Sequence, residues 1–131
     1  MRTVEEYFAA VRQLLQGVSD AYAERYDEQI LTATRGNLRI RLRFSDQSFL
    51  EISEAIVFLG EEPQWLSYRY HYQSPRTGLV FRYDNAPHHA EVPSFPDHKH
   101  TGDDLVASPR PSIEQVLQEV EVFRGEPIRR N

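Results

Sequence analysis

The chain has no cysteine, so it carries no disulfide framework, no thiolate nucleophile and no cysteine-ligated zinc. It also lacks an excess of positive charge. Fifteen Lys and Arg stand against 20 Asp and Glu, a formal net charge of −5. A nucleic-acid footprint spread over the whole surface is thereby excluded, while a local basic face is not. The N-terminus, MRTVEEYFAAVRQLL, sets acidic residues inside its apolar periodicity, unlike a signal peptide or a membrane span. Internal repeats, an HExxH zinc motif and a Gly-rich phosphate cradle are absent as well. What remains is 131 residues, the size of one domain with one core, of a cysteine-free composition that fits a cytoplasmic protein.

What is present divides by period. From Thr3 to about Glu24 the apolar residues Val4, Tyr7, Phe8, Val11, Leu14, Leu15, Val18 and Tyr22 recur at helical spacing, behind a Thr3/Glu6 capping box. One amphipathic helix is expected there, with a bend or an early end near Gly17. From about Glu28 the period becomes two. Gln29 to Thr34 reads as a short strand closed by a Gly36-Asn37 turn. Leu38 to Phe44 follows as a strand with Leu38, Ile40, Leu42 and Phe44 inward and Arg39, Arg41 and Arg43 outward. Pairing with Phe49–Ser53 sets Leu42 opposite Leu50, Ile40 opposite Ile52 and Arg41 opposite Glu51. Glu54 to Leu59 is left open between strand and short helix.

Trp65 to Gln73 alternates again, and Ser74-Pro75-Arg76-Thr77-Gly78 is hairpin-turn chemistry leading into a strand over Leu79 to Asp84. The apolar sides match when Tyr68, Tyr70 and Tyr72 meet Leu79, Phe81 and Tyr83. Arg69, His71, Arg82 and Asp84 then share the other side, where two arginines on adjacent strands call for an anion between them. Leu105 to Ala107 is a candidate edge strand. Ser112 and Gln115 cap a second helix to about Arg124, beyond which the tail from Glu126 to Asn131 is expected to fray. The sum is an α+β protein spanning residues 1–131: an antiparallel meander over about 28–84, with an N-terminal and a C-terminal helix (112–124) on one face.

Four of the five histidines fall in one stretch, FRYDNAPHHAEVPSFPDHKH. His88, His89, His98 and His100 come with Arg82, Asp84, Asp97 and Lys99, and Pro87, Pro93 and Pro96 punctuate the run. So many polar groups do not enter an apolar core, and three prolines oppose a helix or a central strand. A stiff histidine-rich loop over 84–104 is therefore expected. If it binds a metal, His88, His98 and His100 are the candidate ligands, although no family-defining ligand spacing is present. Metal-free RNA cleavage fits the residue types better, since it needs a base, an acid and cations for a phosphate. The candidate catalytic residues are Arg82, Asp84, His88, His89, His98, Lys99 and His100, with His98 and His100 as the leading acid/base pair. Arg41, Arg69 and His71 are the candidate substrate-binding residues. Alternating arginines are, equally, the ordinary pattern of a solvated strand face.

The strings Arg82-Tyr83-Asp84-Asn85-Ala86-Pro87-His88-His89 and Phe95-Pro96-x-His98-Lys99-His100 resemble the signature of the TumE-type toxins. Leu38–Phe44, Phe49–Glu54, Tyr68–Tyr72 and Ser112–Val120 extend the resemblance, and Asp97 stands where that family often has a second histidine. The resemblance implies the toxin of a type II toxin–antitoxin pair, silenced by a helix-turn-helix antitoxin. RNA is the expected target and a metal-independent ribonuclease the expected activity, with no cofactor. A non-enzymatic adaptor, a group-transferring toxin and a homo-oligomer stay open.

Overall fold

The structure, a computed structural model, describes residues 3–125. A helix α1 (Val4–Gln16) leads into β1 (Ala21–Thr32), β2 (Arg35–Phe44), β3 (Phe49–Leu59), β4 (Glu62–Ser74) and β5 (Gly78–Asp84). Two short strands, β6 (His98–Thr101) and β7 (Asp104–Ala107), precede a closing helix α2 (Ile113–Phe123). All strands belong to one antiparallel sheet in the order β1-β2-β3-β4-β5-β6-β7. No described helix is long and apolar enough to cross a membrane.

Both helices cover one face, as the patterning predicts. Val4, Phe8 and Val11 of α1 and Ile113, Val116 and Val120 of α2 join Leu38, Ile40, Leu42, Leu50, Ile52, Tyr70, Tyr72 and Phe81 in one buried cluster. Each large apolar side chain so buried contributes about 1.5–3 kcal/mol. Both helices begin with the expected capping boxes, Thr3 with Glu6 and Ser112 with Gln115. The β2–β3 register follows the sequence: Leu42 faces Leu50, Ile40 faces Ile52 and Arg41 faces Glu51. In β4–β5 the apolar sides meet as expected, Tyr70 opposite Tyr83 and Tyr72 opposite Phe81, while an irregularity at Tyr72/Gln73 leaves Leu79 opposite Gln73. The undecided segment Glu54–Leu59 continues β3 as strand.

A polar network lies inside this core. The Glu54 carboxylate accepts hydrogen bonds from the Tyr7 and Tyr70 hydroxyls, and Arg110 donates to Tyr70 over 2.9 Å while stacking on Trp65. Burial raises the Glu54 carboxyl above its ordinary range, against the opposing pull of those hydroxyls and of Arg110. The network ties α1, β3, β4 and the segment before α2 to one point.

Three expectations are corrected. The N-terminal helix ends at Gln16, capped by Gly17, rather than running to Glu24. Tyr22, placed on its apolar stripe, is an exposed residue of β1. Strand β1 is a long, charge-rich edge, held to α1 by the Arg12–Glu28 ion pair; such charges discourage edge-to-edge pairing and conceal the strand's period. The sheet consequently spans 21–107, not 28–84.

The second correction concerns Gly36-Asn37, which is no turn; the chain reverses at Ala33-Thr34 and Gly36 lies buried within β2. A Cβ at Gly36 would stand 2.6 Å from Val4 Cγ1 and 2.8 Å from the Gln29 carbonyl. Glycine is required here by the close approach of α1, not by a turn.

The third is the loop itself. Only residues 85–97 are loop, because His98–Thr101 pairs with β5 and, through a tight hairpin, with β7. The free hydrogen-bonding edge of β5 is thereby satisfied. The tail from Glu126 to Asn131 lies outside the described residues.

Candidate functional site

Strand alternation decides which side chains meet. In the register Arg82↔His100, Tyr83↔Lys99 and Asp84↔His98, the face away from the helices receives Arg82, Asp84, His98 and His100. Lys99 goes to the helix side, where it binds Glu119 of α2 at 2.7 Å and lies 4.8 Å from the Tyr83 ring centre. Burial lowers the Lys99 ammonium, but Glu119 and Tyr83 outweigh it and hold it above its usual range. The structure does not bring Lys99 to the other candidates.

The loop 85–97 folds back over the outer face and completes the site. Asn85 anchors its start, accepting from the Tyr68 amide and donating to the Leu66 carbonyl. At its end a cis Phe95–Pro96 bond precedes β6, the Ser94 hydroxyl donates to the Asp97 carbonyl, and Asp97 accepts from the Tyr68 hydroxyl. Asp97 is therefore engaged in holding the loop. Ser94 is a contributor that the sequence did not single out, and Asn85, legible after Asp84 as a turn residue, proves to be a clamp.

Asp84 is the centre of the arrangement. Its Oδ1 accepts from the Ala86 amide at 2.9 Å and lies 3.0 Å from His98 Nε2. Its Oδ2 lies 3.9 Å from His100 Nε2 and 3.5 Å from Arg82 Nε. His98 is 2% exposed, and its Nδ1 donates to the Pro96 carbonyl at 2.9 Å. Both its ring nitrogens thus face acceptors. His89 comes down from the loop so that its ring lies 5.0 Å from His98 and 5.6 Å from His100, with near-perpendicular planes. Burial, then Arg82 and His98, push the His100 imidazole below its ordinary value, with Asp84 pulling the other way.

These groups line an open hollow of about 350 Å³, with Arg69 and Arg82 in its wall and the exposed His88 at its rim. The Arg82 Nε is buried without a hydrogen-bond partner. Arg69, opposite Asp84 in register, has no ion pair among the described residues. Arg41 and His71 lie on the same sheet face but are occupied. Arg41 pairs with Glu24 and Glu51 and lies on the Phe49 ring; His71 contacts Gln73 and stacks on Phe49.

One nitrogen each of His89, His98 and His100 lie within 4.8 Å of one another, a spacing at which the three could hold a metal ion. That trio includes His89 where the sequence suggested His88. An ion on His98 would have to displace its contact with Asp84 or with Pro96.

Fold and site together define a small α+β protein whose helix-free sheet face presents a histidine–aspartate–arginine hollow suited to moving protons beside an anion. The sequence model of the family described as Toxin TumE matches residues 10–128, and the chain belongs to that family. No curated protein and no solved structure matches it.

Proposed function

We propose that this toxin cleaves RNA without a metal ion, in the hollow formed by Asp84, His89, His98, His100 and Arg82. The observation that carries the proposal is the grouping itself: three imidazoles packed on one another, two of them beside the Asp84 carboxylate and His89 beside Glu91, with two arginines lining the same opening. His100, favoured in its neutral form, takes the proton from a ribose 2′-hydroxyl. The 2′-oxygen bonds to the adjacent phosphorus, the bond from phosphorus to the 5′-oxygen breaks, and His89 as acid gives that oxygen its proton. The products are a 2′,3′-cyclic phosphate and a 5′-hydroxyl end. Arg82 and Arg69 bind the phosphate oxygens, where the charge develops.

His98 takes a different part from the one its sequence position suggests. Buried and engaged at both nitrogens, it serves as a positioning residue that aligns Asp84 with His100. Commitment of both His98 nitrogens also supports a metal-free site. A toxin requires an antitoxin, and a helix-turn-helix protein is the proposed partner.

The test is RNA integrity after brief induction of wild type and of His100→Ala without antitoxin. Discrete fragments with wild type, their absence in the variant, and their reproduction by purified protein in EDTA are expected. Growth arrest with intact RNA would overturn the proposal in favour of group transfer or partner capture, and cleavage abolished by EDTA would overturn its metal-free part.

A further inference from the structure

The hollow at His100 does not end at β5. Across the outer face the register sets Arg39, Ser53, Arg69, Asp84 and His98 in one row through β2, β3, β4, β5 and β6. The hollow shares Ser67 with a larger one of about 650 Å³ that reaches Arg39 and the edge strand β1. Its floor carries Ser53, Ala55 and Ser67, short side chains on neighbouring strands, while arginines stand along its length. The result is a trench running across the strands and opening into the histidine site at one end.

The charges in the trench are not equivalent. Arg41 and Arg43 are neutralised by Glu24 and Glu51, and Arg25 by Asp27. Arg39 and Arg69 have no ion pair among the described residues, although both lie exposed on the same face. They stand two strand spacings apart, roughly 10 Å, with only Ser53 between them. Each has an aspartate as cross-strand neighbour, Asp27 beside Arg39 and Asp84 beside Arg69, but Asp27 is paired with Arg25 and Asp84 with Arg82 and His98. Two guanidinium groups without an ion pair of their own, flanking a small neutral residue, form a place for consecutive anions. Of the aromatic rings on this face, Phe49 is covered by Arg41 and His71, and Tyr22 lies exposed at the β1 edge opposite Arg43, four residues along the strand from Arg39 and off the row of the trench.

We infer that this trench is the binding track for a single RNA strand, laid across the sheet from β1 with its phosphates on Arg39 and Arg69 and its scissile linkage at His100, an extension that rests on the ribonuclease reading above. A floor recessed between arginines excludes the convex, stiff A-form duplex, whereas an unpaired strand can descend to it and rotate a 2′-hydroxyl into line with its phosphorus. With phosphates rather than bases contacted along the track, binding away from the cleavage point is sequence-tolerant and strongly salt-dependent.

The experiment measures fluorescence anisotropy of labelled short RNAs with the non-cleaving His100→Ala protein. Single-stranded RNA of mixed sequence binds, and the same sequence as a duplex binds at least about tenfold more weakly. Arg39→Gln weakens single-strand binding and lowers the slope of log K against log salt by about 0.7, the value for one lost phosphate contact on a single strand. Ser53→Trp, which fills the floor without changing charge, weakens it as well. Both positions lie on the outer face, and an unchanged thermal midpoint verifies the fold. Equal affinity for duplex, or unchanged affinity and salt slope in both variants, would overturn the track while leaving cleavage at His100 standing. Absence of His100-dependent cleavage in the wild type would instead remove the ribonuclease reading itself.

Discussion

Lys99 and His100 are adjacent in the chain and serve opposite faces of the sheet, Lys99 bound to Glu119 under α2 and His100 beside Asp84 in the outer hollow. Their substitutions are expected to separate cleanly. Lys99→Ala removes an ion pair and a cation–π contact, costs about 1 kcal/mol of stability, and leaves toxicity intact. His100→Ala leaves the urea midpoint within error of wild type and abolishes growth arrest. Growth assays and equilibrium unfolding on the two variants read both quantities, and loss of toxicity in a well-folded Lys99→Ala would contradict the assignment of faces.

The pH profile tests the role of His100. Its imidazole is lowered from 6.5 by burial, Arg82 and His98, so the neutral, proton-accepting form persists into mildly acid solution. The acid limb of kcat/KM is therefore expected below pH 6.5. Arg82→Gln removes one of the lowering influences and should move that limb upward, besides weakening phosphate binding. A limb that stays in place would detach His100 from the base role.

Gly36→Ala probes the packing of α1. The new Cβ would meet Val4 Cγ1 at 2.6 Å, the Gln29 carbonyl at 2.8 Å and Phe8 Cζ at 3.2 Å. Only the side chains can yield, so a cost of about 1–3 kcal/mol is expected. Calorimetry should show a midpoint lower by roughly 5–15 °C. An unchanged midpoint would mean that α1 is not seated as described.

Glu54 makes stability depend on pH in an unusual direction. Its folded-state pKa is raised by burial above 4.5, so it contributes stability in full below 4.5, and that contribution is lost as pH rises through the folded-state value. The surface carboxylates Asp20, Glu24 and Asp46 are lowered instead and act in the opposite sense. Subtraction of a Glu54→Gln series isolates the core group. The wild-type advantage in urea midpoint should be largest at the acid end and shrink toward neutrality. A constant difference would refute it.

The sheet was legible where one face is buried and the other charged. Arg41 opposite Glu51, and the tyrosines of β4 on the same side as Phe81 and Tyr83, follow from alternation, because a slip by one would turn apolar side chains to water. Strand β1 was not legible, since an edge strand needs no clean alternation and its Tyr22 happens to continue the helical spacing of α1. Gly36 misled because close helix–sheet approach and turn formation select the same residue. Within the site, the sequence identified the histidines, Arg82 and Asp84 as candidates. It could not separate Lys99 from its neighbours, because a stretch treated as loop has no faces. Nor could it foresee that Pro96 and Asp84 would engage both nitrogens of His98, a matter of three-dimensional closure rather than of residue type.

A sheet whose seven strands lie in chain order pairs each strand with the one made just before it. Such a meander closes short loops and can grow outward from a single hairpin, without waiting for distant segments. The longest excursion between paired strands is the one from Asp84 to His98, and it is also the one that builds the hollow. The strands β1 to β4 thus precede in the chain the segment that carries the histidines to Asp84. If the toxin holds its target on that face and acts on it at the hollow, as proposed, the holding strands come before the acting ones, and an antitoxin that seized the early sheet would meet the toxin before it could act.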